Sequence, residues 1–330
     1  MINANTVVDI VYLWVDGSDA AWRAKRWQVE QTLSQASTKS LALFSNVEGR
    51  FRDNDELRYS LRALERYFPD HGHIYIVTDK QIPSWLVGNR CVTIVDHTDL
   101  IPEALLPTFD SGNIETYIHH IPNLSERYFY CNDDVFFGSP VNVANWFWDG
   151  GIFTAWSDDL PVLGEALLAE ATSLENGSRL SKRWLDENAD ASNRLNSYRH
   201  TPRTFAHAPR PMLKSLLTTL EKCAPELFVI ARSTRFRAWD KPSIVSDFVL
   251  RWALAHGVAK LKSYPHCYVS TGDAQLADQL IDLEAKLGAV DFFCINDTTD
   301  NALNDDPRLA QVQHHLQRMF QKPSQFEHQA

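Results

Sequence analysis

Short apolar runs, each broken by a cluster of acidic and small polar residues, set the rhythm of this sequence. Val7–Val15 (VVDIVYLWV) has the apolar density of a buried strand, and Asp16-Gly17-Ser18-Asp19 ends it. A polar helical stretch follows to about Gln35. Leu57, Leu61, Leu64 and Phe68 recur at helical spacing and predict an amphipathic helix opening at Asp53. Glu56, three residues on, completes a capping box with Asp in place of Ser or Thr. His73–Thr78, Cys91–Val95 and Tyr128–Asn132 read as further buried strands. A polar loop with prolines spans His97 to Gly112, and a helix is predicted over Asn113–His120. Later helices are predicted at Met212–Lys222, Ser246–His256, Ala274–Leu287 and Asp306–Phe320, with a strand at Val290–Ile295. The alternation implies an α/β fold with a mostly parallel sheet and flanking helices. Residues 158–200 are charged, helical in period around Leu163–Leu174, then rich in Asn, Ser and Arg. They read as an insertion or lid within one composite domain over 1–330.

Composition narrows the function. The 330 residues carry 32 Lys and Arg against 42 Asp and Glu, a net charge of −10, and the pI is about 5.6. That balance argues against a general nucleic-acid binder, which needs a basic face. An acidic chain that handles an anionic substrate needs a cation or a local arginine cluster. The five cysteines form no CxxC pair. Cys91, Cys131 and Cys294 lie in apolar runs and read as buried hydrophobes of a reducing compartment. No run reaches the roughly 18 apolar residues of a membrane span, so a cytoplasmic location is expected, with peripheral contact at the inner face of the membrane left open.

The candidate chemistry sits where strands end, since open α/β sheets bind ligands beyond their carboxyl edges. Asn132-Asp133-Asp134 can ligate a hard cation such as Mg²⁺ or Mn²⁺, or form a solvated turn; the strand before it tilts the reading toward a metal. Asn296-Asp297 repeats the pattern. Asp16 and Gly17 can meet a nucleotide, although a plain turn with a helix cap at Ser18 explains them as well. Arg58 lies near a helix start that attracts phosphate, whereas Arg62 and Arg66 fit a solvated face paired with Glu65 and Asp55. His207, in FAHAPRP, can act as a general base, though a lone histidine is more often structural. Arg235 and Arg237 alternate in an extended segment and can clamp a diphosphate; the alternative is an exposed basic loop. Trp146, Phe147 and Trp148 read as core rather than a sugar platform.

In order, DIVYLWVDGSD at 9–19, the blocks from RFRDNDELRYSLRAL to YCNDDVFFGSPV at 50–141, RTFAHAPRPM at 203–212, and CINDTTDN with KPSQFE at 294–327 closely resemble the Stealth family of sugar-phosphate transferases. That family includes bacterial capsule polymerases and the catalytic subunit of N-acetylglucosamine-1-phosphotransferase. The resemblance implies a GT-A-like nucleotide-sugar fold, a divalent metal (Mg²⁺ or Mn²⁺) and a UDP-sugar donor. It further implies transfer of a sugar 1-phosphate to a saccharide hydroxyl, with UMP released. By position it implies an essential acidic pair at Asp133 and Asp134, an essential histidine at His207, and phosphate contacts from Arg203 and from Arg235 or Arg237. Asn296 and Asp297 would complete the metal site, and Asp16, Gly17, Asp53, Asn54, Glu56 and Arg58 would lie along the donor. Lack of the animal enzyme's membrane helices points to the bacterial branch. An ordinary glycosyltransferase that expels UDP and a non-catalytic polysaccharide-binding protein are the alternatives.

Overall fold

The computed structural model describes residues 6–33, 39, 41–42, 45–189, 198–300, 302–303 and 305–328. Its centre is a five-stranded sheet in the order β3-β2-β1-β4-β8, from β1 (Asp9–Leu13), β2 (Ile74–Thr78), β3 (Val92–Asp96), β4 (Arg127–Asn132) and β8 (Arg210–Leu213). The first four are parallel and β8 is antiparallel to β4. Leu13 pairs with both Val77 and Asn132, so the segments leaving β1, β2 and β4 emerge at one edge. A second sheet, β10 (His266–Ser270), β11 (Phe292–Asn296) and β5 (Val135–Phe137), brings the end of β11 to the same region. A third joins β6 (Phe147–Trp148), β7 (Gly151–Thr154) and β9 (Ala259–Leu261).

The helices are α1 (Ala20–Gln31), α2 (Glu56–Tyr67), α3 (His97–Leu100), α4 (Ser111–Ile114), α5 (Ser173–Glu187), α6 (Lys214–Cys223), α7 (Pro225–Ala231), α8 (Val249–Ala255), α9 (Leu276–Lys286) and α10 (Pro307–Met319). The apolar stripe of α2 is the one the spacing predicts: Leu57, Leu61 and Leu64 are fully buried. Each such burial contributes about 1.5–3 kcal/mol. Ser60 ties the helix down, donating to Val135 O at 2.8 Å and sharing a 2.9 Å hydrogen bond with the Tyr12 hydroxyl.

Several elements depart from the expected pattern. The capping box at Asp53 does not form. Asp55 takes a left-handed conformation (φ 67°) and caps nothing, the Asp53 carboxylate accepts from Asp55 N at 3.0 Å, and Glu56 turns back to Asn54 N at 2.6 Å. The helix therefore opens at Glu56. No helix spans Leu163–Leu174: Gly164 is left-handed (φ 72°), Leu163 is exposed, and helicity begins at Ser173 behind a Thr172–Glu175 capping box. Residues 190–197 of the expected lid lie outside the described residues, as do 34–38 beyond α1. Asn113–His120 is mostly 3-10 helix, Arg210–Leu213 pairs with β4 before α6 begins, and Ile244–Phe248 is a π-helical turn ahead of α8. Cys131 and Cys294 are buried as expected, but Cys91 is exposed. Trp146 and Phe147 lie in the core.

Candidate active site at the carboxyl edge of the sheet

Acidic groups crowd the edge where β1, β4 and α2 meet. Burial, then the neighbouring Asp134, Glu56 and Asp53 carboxylates, push Asp133 well above the usual carboxylate range. Burial also raises Asp53 to about 7, with Asp55 and Asp16 adding to it, and raises Glu56 to about 8, with Asp53 adding to it. Like charges in a low-dielectric setting hold protons unless a cation replaces them. By donor type these carboxylates suit a hard divalent ion; among the described residues the converging group that includes one of them is Asp134 with His207 and Cys294.

Asp134 meets the middle of β11 and the loop before β8. Its Oδ1 lies 3.3 Å from His207 Nε2 and its Oδ2 accepts from Cys294 Sγ at 3.4 Å. One ligating atom from each of the three falls within 4.8 Å of the others. The loop that delivers His207 is held firmly. Ala206 N donates to Ala155 O at 2.9 Å, and Phe205 bridges Trp156. Arg251, fully buried and paired with Asp247 at 2.8 Å, donates to Arg203 O at 2.6 Å and Thr201 O at 2.9 Å. Arg203 thus meets Arg251 through its carbonyl, while its buried Nε has no hydrogen-bond partner among the described residues.

A basic wall stands nearby. Arg237 donates to Ser111 Oγ at 2.6 Å and lies 3.8 Å from Asp110, which Lys241 also holds at 3.0 Å. Arg50 reaches the same Ser111 Oγ at 3.4 Å. Burial and the proximity of Arg237 lower the Arg50 guanidinium to about 9. Among the described residues no carboxylate lies within 4 Å of Arg50, and the more distant Asp110, Asp134 and Glu115 favour its charged form, while Arg237 and Lys241 share Asp110. Arg235 points its donors elsewhere, to Pro107 O and Ala104 O, both at 2.9 Å.

Other expected site residues have structural partners. Arg58 is no free phosphate ligand: its Nε pairs with Glu327 at 2.6 Å, and Arg62, buried rather than solvated, pairs with the same carboxylate at 2.6 Å. Arg66 donates to Met319 O at 3.1 Å. Asp297 is already satisfied, with Oδ1 accepting from Thr271, Thr299 N and Thr299 Oγ1, and Oδ2 from Arg52. Its role here is to staple the 48–54 segment to 297–302, a join that Gly49 N to Thr299 O (2.9 Å) reinforces. Asn296 donates to the Tyr268 hydroxyl at 2.8 Å, and Asn54 Nδ2 to Glu56 at 2.8 Å. Asp16 accepts from Ser18, and Gln81 grips its backbone; Asp19, not Ser18, caps α1. Gly17 makes its close approach to Phe51, whose carbonyl would lie 2.1 Å from an added Cβ.

An open-mouthed cavity of about 110 Å³ is lined by Asp133 and Asn132 from the end of β4, by Trp14, Asp79 and His97, and by Arg50, Phe51 and Ser111. Arg50, His97 and Cys294 escape a reading by periodicity. The strand-end rule that finds Asp133 also reaches His97, which directly follows β3. Among the described residues no helix is long and apolar enough to cross a membrane.

Fold and site together define an α/β protein that sets Asp133 and Arg50 on one cavity beyond a mostly parallel sheet. The chain belongs to the Stealth family: Stealth protein CR1, conserved region 1, matches residues 6–34, CR2, conserved region 2, residues 50–154, and CR4, conserved region 4, residues 288–330. Similar curated proteins include an exopolysaccharide phosphotransferase of Streptomyces coelicolor, 32% identical over 97% of this chain and 33% of that protein. Exopolysaccharide phosphotransferase CpsY of Mycobacterium tuberculosis is 30% identical over 97% of this chain and 58% of its own length. The chain thus spans between a third and three fifths of these relatives. Similar solved structures include the galactosyltransferase LgtC with donor and acceptor sugar analogues (11% identity, TM-score 0.44, 96% of this chain and 98% of that one). Another is the inositol-1-phosphate CTP transferase from T. maritima (10% identity, TM-score 0.40, 96% and 98%).

Proposed function

We propose that this chain, acting as one catalytic domain, transfers a hexose or N-acetylhexosamine 1-phosphate from a UDP-sugar to a saccharide hydroxyl in capsule or exopolysaccharide synthesis. The observation that carries the reading is that Asp133 and Arg50 line one cavity, with Arg237 sharing Ser111 Oγ with Arg50 and the His207–Asp134 contact one residue on from Asp133. Phosphoryl transfer needs positioning and charge neutralisation more than covalent chemistry. Asp133 and Asp134, with Asp53 beside them, would hold a divalent cation, which when bound supplies charge neutralisation to the donor diphosphate. Arg50 and Arg237 take the remaining phosphate charge through charge-assisted hydrogen bonds. With Nε2–H directed at Asp134, His207 keeps a lone pair on Nδ1 to accept the hydroxyl proton. The acceptor oxygen bonds to the phosphorus attached to the sugar, the bond between the two phosphates breaks, and UMP leaves.

The test is the nucleotide formed when purified protein meets UDP-N-acetylglucosamine, Mg²⁺ and a capsule-type oligosaccharide. UMP together with a phosphodiester-linked product is expected. UDP as the product would overturn the reading and make the protein an ordinary glycosyltransferase.

A further inference from the structure

Outside the residues of the candidate active site, two adjacent histidines and a glutamate converge. His119 and His120 end the 3-10 helix Glu115–His120, and Glu221 lies in the last turn of α6. His119 Nε2 stands 2.8 Å and His120 Nε2 3.1 Å from the same oxygen, Glu221 Oε2. Successive residues of a 3-10 helix leave its axis about 120° apart. The two rings nevertheless sit 4.1 Å apart, centroid to centroid, tilted by 57°. One ligating atom from each of the three side chains falls within 4.8 Å of the others.

Glu221 is oriented from behind. Its Oε1 accepts from Arg232 Nη1 at 2.5 Å. The same guanidinium donates to Thr116 Oγ1 and to Thr116 O, both at 2.8 Å, and lies 4.0 Å over the Tyr117 ring. A carboxylate fixed through one oxygen presents the other, and ligating carboxylates are held in this way. The His119 side chain is 1% exposed and that of His120 43%, so the cluster is closed on one side and open to solvent on the other. His119 Nδ1 is buried with no hydrogen-bond partner among the described residues. The tautomer of a histidine is set by the bond its other nitrogen makes. Here no such bond holds the proton on Nε2, and that nitrogen is able to exchange it for a metal.

We propose that His119, His120 and Glu221 bind a zinc ion that clamps the segment before β4 to α6. Two imidazoles and a carboxylate form a donor set that zinc takes with water in the fourth position. Magnesium, which keeps to oxygen ligands, is not suited to it. Zinc bonds of about 2.0–2.2 Å in a tetrahedron set ligand atoms about 3.3 Å apart. The separations of 2.8 and 3.1 Å need only widen slightly to admit the ion. On binding, each ring carries its proton on Nδ1 and gives the Nε2 lone pair to the metal, with water completing the shell on the exposed side of His120. The clamp stands at the root of β4, which leads to Asp133, and through Arg232 it meets the segment that carries Arg237. Its binding is independent of the reaction proposed above.

Calorimetric titration of the metal-stripped intact protein with Zn²⁺, in excess Mg²⁺ to occupy hard oxygen sites, tests this without donor, acceptor or turnover. His120→Ala removes an exposed ligand and should weaken this zinc equivalent by roughly 100-fold or more, since changes in the outer shell alone cost 10–100-fold. Glu221→Gln, which keeps the shape and loses the charge, should do the same. Zinc should raise the melting temperature of the wild type and leave that of His120→Ala where it is without metal. With Co²⁺ in place of zinc, the visible bands of a tetrahedral nitrogen and oxygen site should disappear in His120→Ala. A thiolate band in the near ultraviolet, which Cys294 beside Asp134 and His207 would produce, is read separately and removed by Cys294→Ser. No zinc binding by the wild type, or zinc binding that folded His120→Ala and Glu221→Gln leave unchanged, overturns the proposal.

Discussion

Asp134 receives two contacts from distant parts of the chain, His207 on one oxygen and Cys294 on the other. This convergence gives the residue-scale prediction: His207→Ala should lower UMP release by roughly 100-fold or more, the usual scale for a lost general base. Unchanged turnover would remove His207 from the mechanism. The aspartates were legible in the sequence because a strand that stops at two carboxylates stands out against its apolar run. Arg50 was quoted in a motif yet carried no signal of its own, because what marks it is the approach of Arg237, 187 positions later. Arg58 and Asp297 show the opposite failure. Their residue types suit phosphate and metal, but the fold spends them on Glu327 and Arg52, and partners that far apart in sequence leave no local trace.

At the scale of elements, the segment 48–54 decides where Arg50 and Asp53 stand, and it is pinned by Gly17 on one side and Asp297 on the other. Gly17→Ala would force a Cβ against Phe51, and repacking of that kind costs typically about 1–3 kcal/mol. We expect reduced stability in urea together with weaker donor binding; a variant as stable and active as the wild type would refute the pin. Glu327 anchors α2 and is held at about 2 by the Arg62 and Arg58 guanidinia and by Ser324 N, against the opposing effect of burial. Because its folded value lies below the ordinary 4.5, its contribution is full above that pH and fades as pH falls toward about 2. Glu327→Gln leaves the Arg62 charge buried, and loss of one partner of such a pair costs about 3–5 kcal/mol. Urea melts at pH 7 should show that loss, and the gap between variant and wild type should narrow on acidification. Among the elements, α2 and the parallel strands were readable from long periodic runs. β5, β6 and β9 have two or three residues each, too few to show a period, and the apolar positions of 163–174 mimic a helix that Gly164 interrupts.

Across the whole molecule, the acidic balance noted in the composition becomes a local problem at one edge of the sheet. Asp53 and Glu56 titrate near 7 and 8 in the metal-free protein, above their ordinary values. Raised folded values mean stability that is full at low pH and lost as pH rises through 7 and 8. In chelator, the melting temperature should therefore fall from pH 6 to pH 9, and Mg²⁺ should restore more of it at pH 9 than at pH 6. A metal effect that does not vary with pH would separate the cation from these carboxylates. The bond that seals α2 has a consequence in time as well. Arg62 precedes its partner Glu327 by 265 positions, and at 5–20 residues per second a ribosome takes roughly 13–50 s to cover that interval. Throughout it the nascent helix carries two guanidinia with no carboxylate to close on. A polypeptide halted before residue 327 would own every strand described here and still leave that face unsealed.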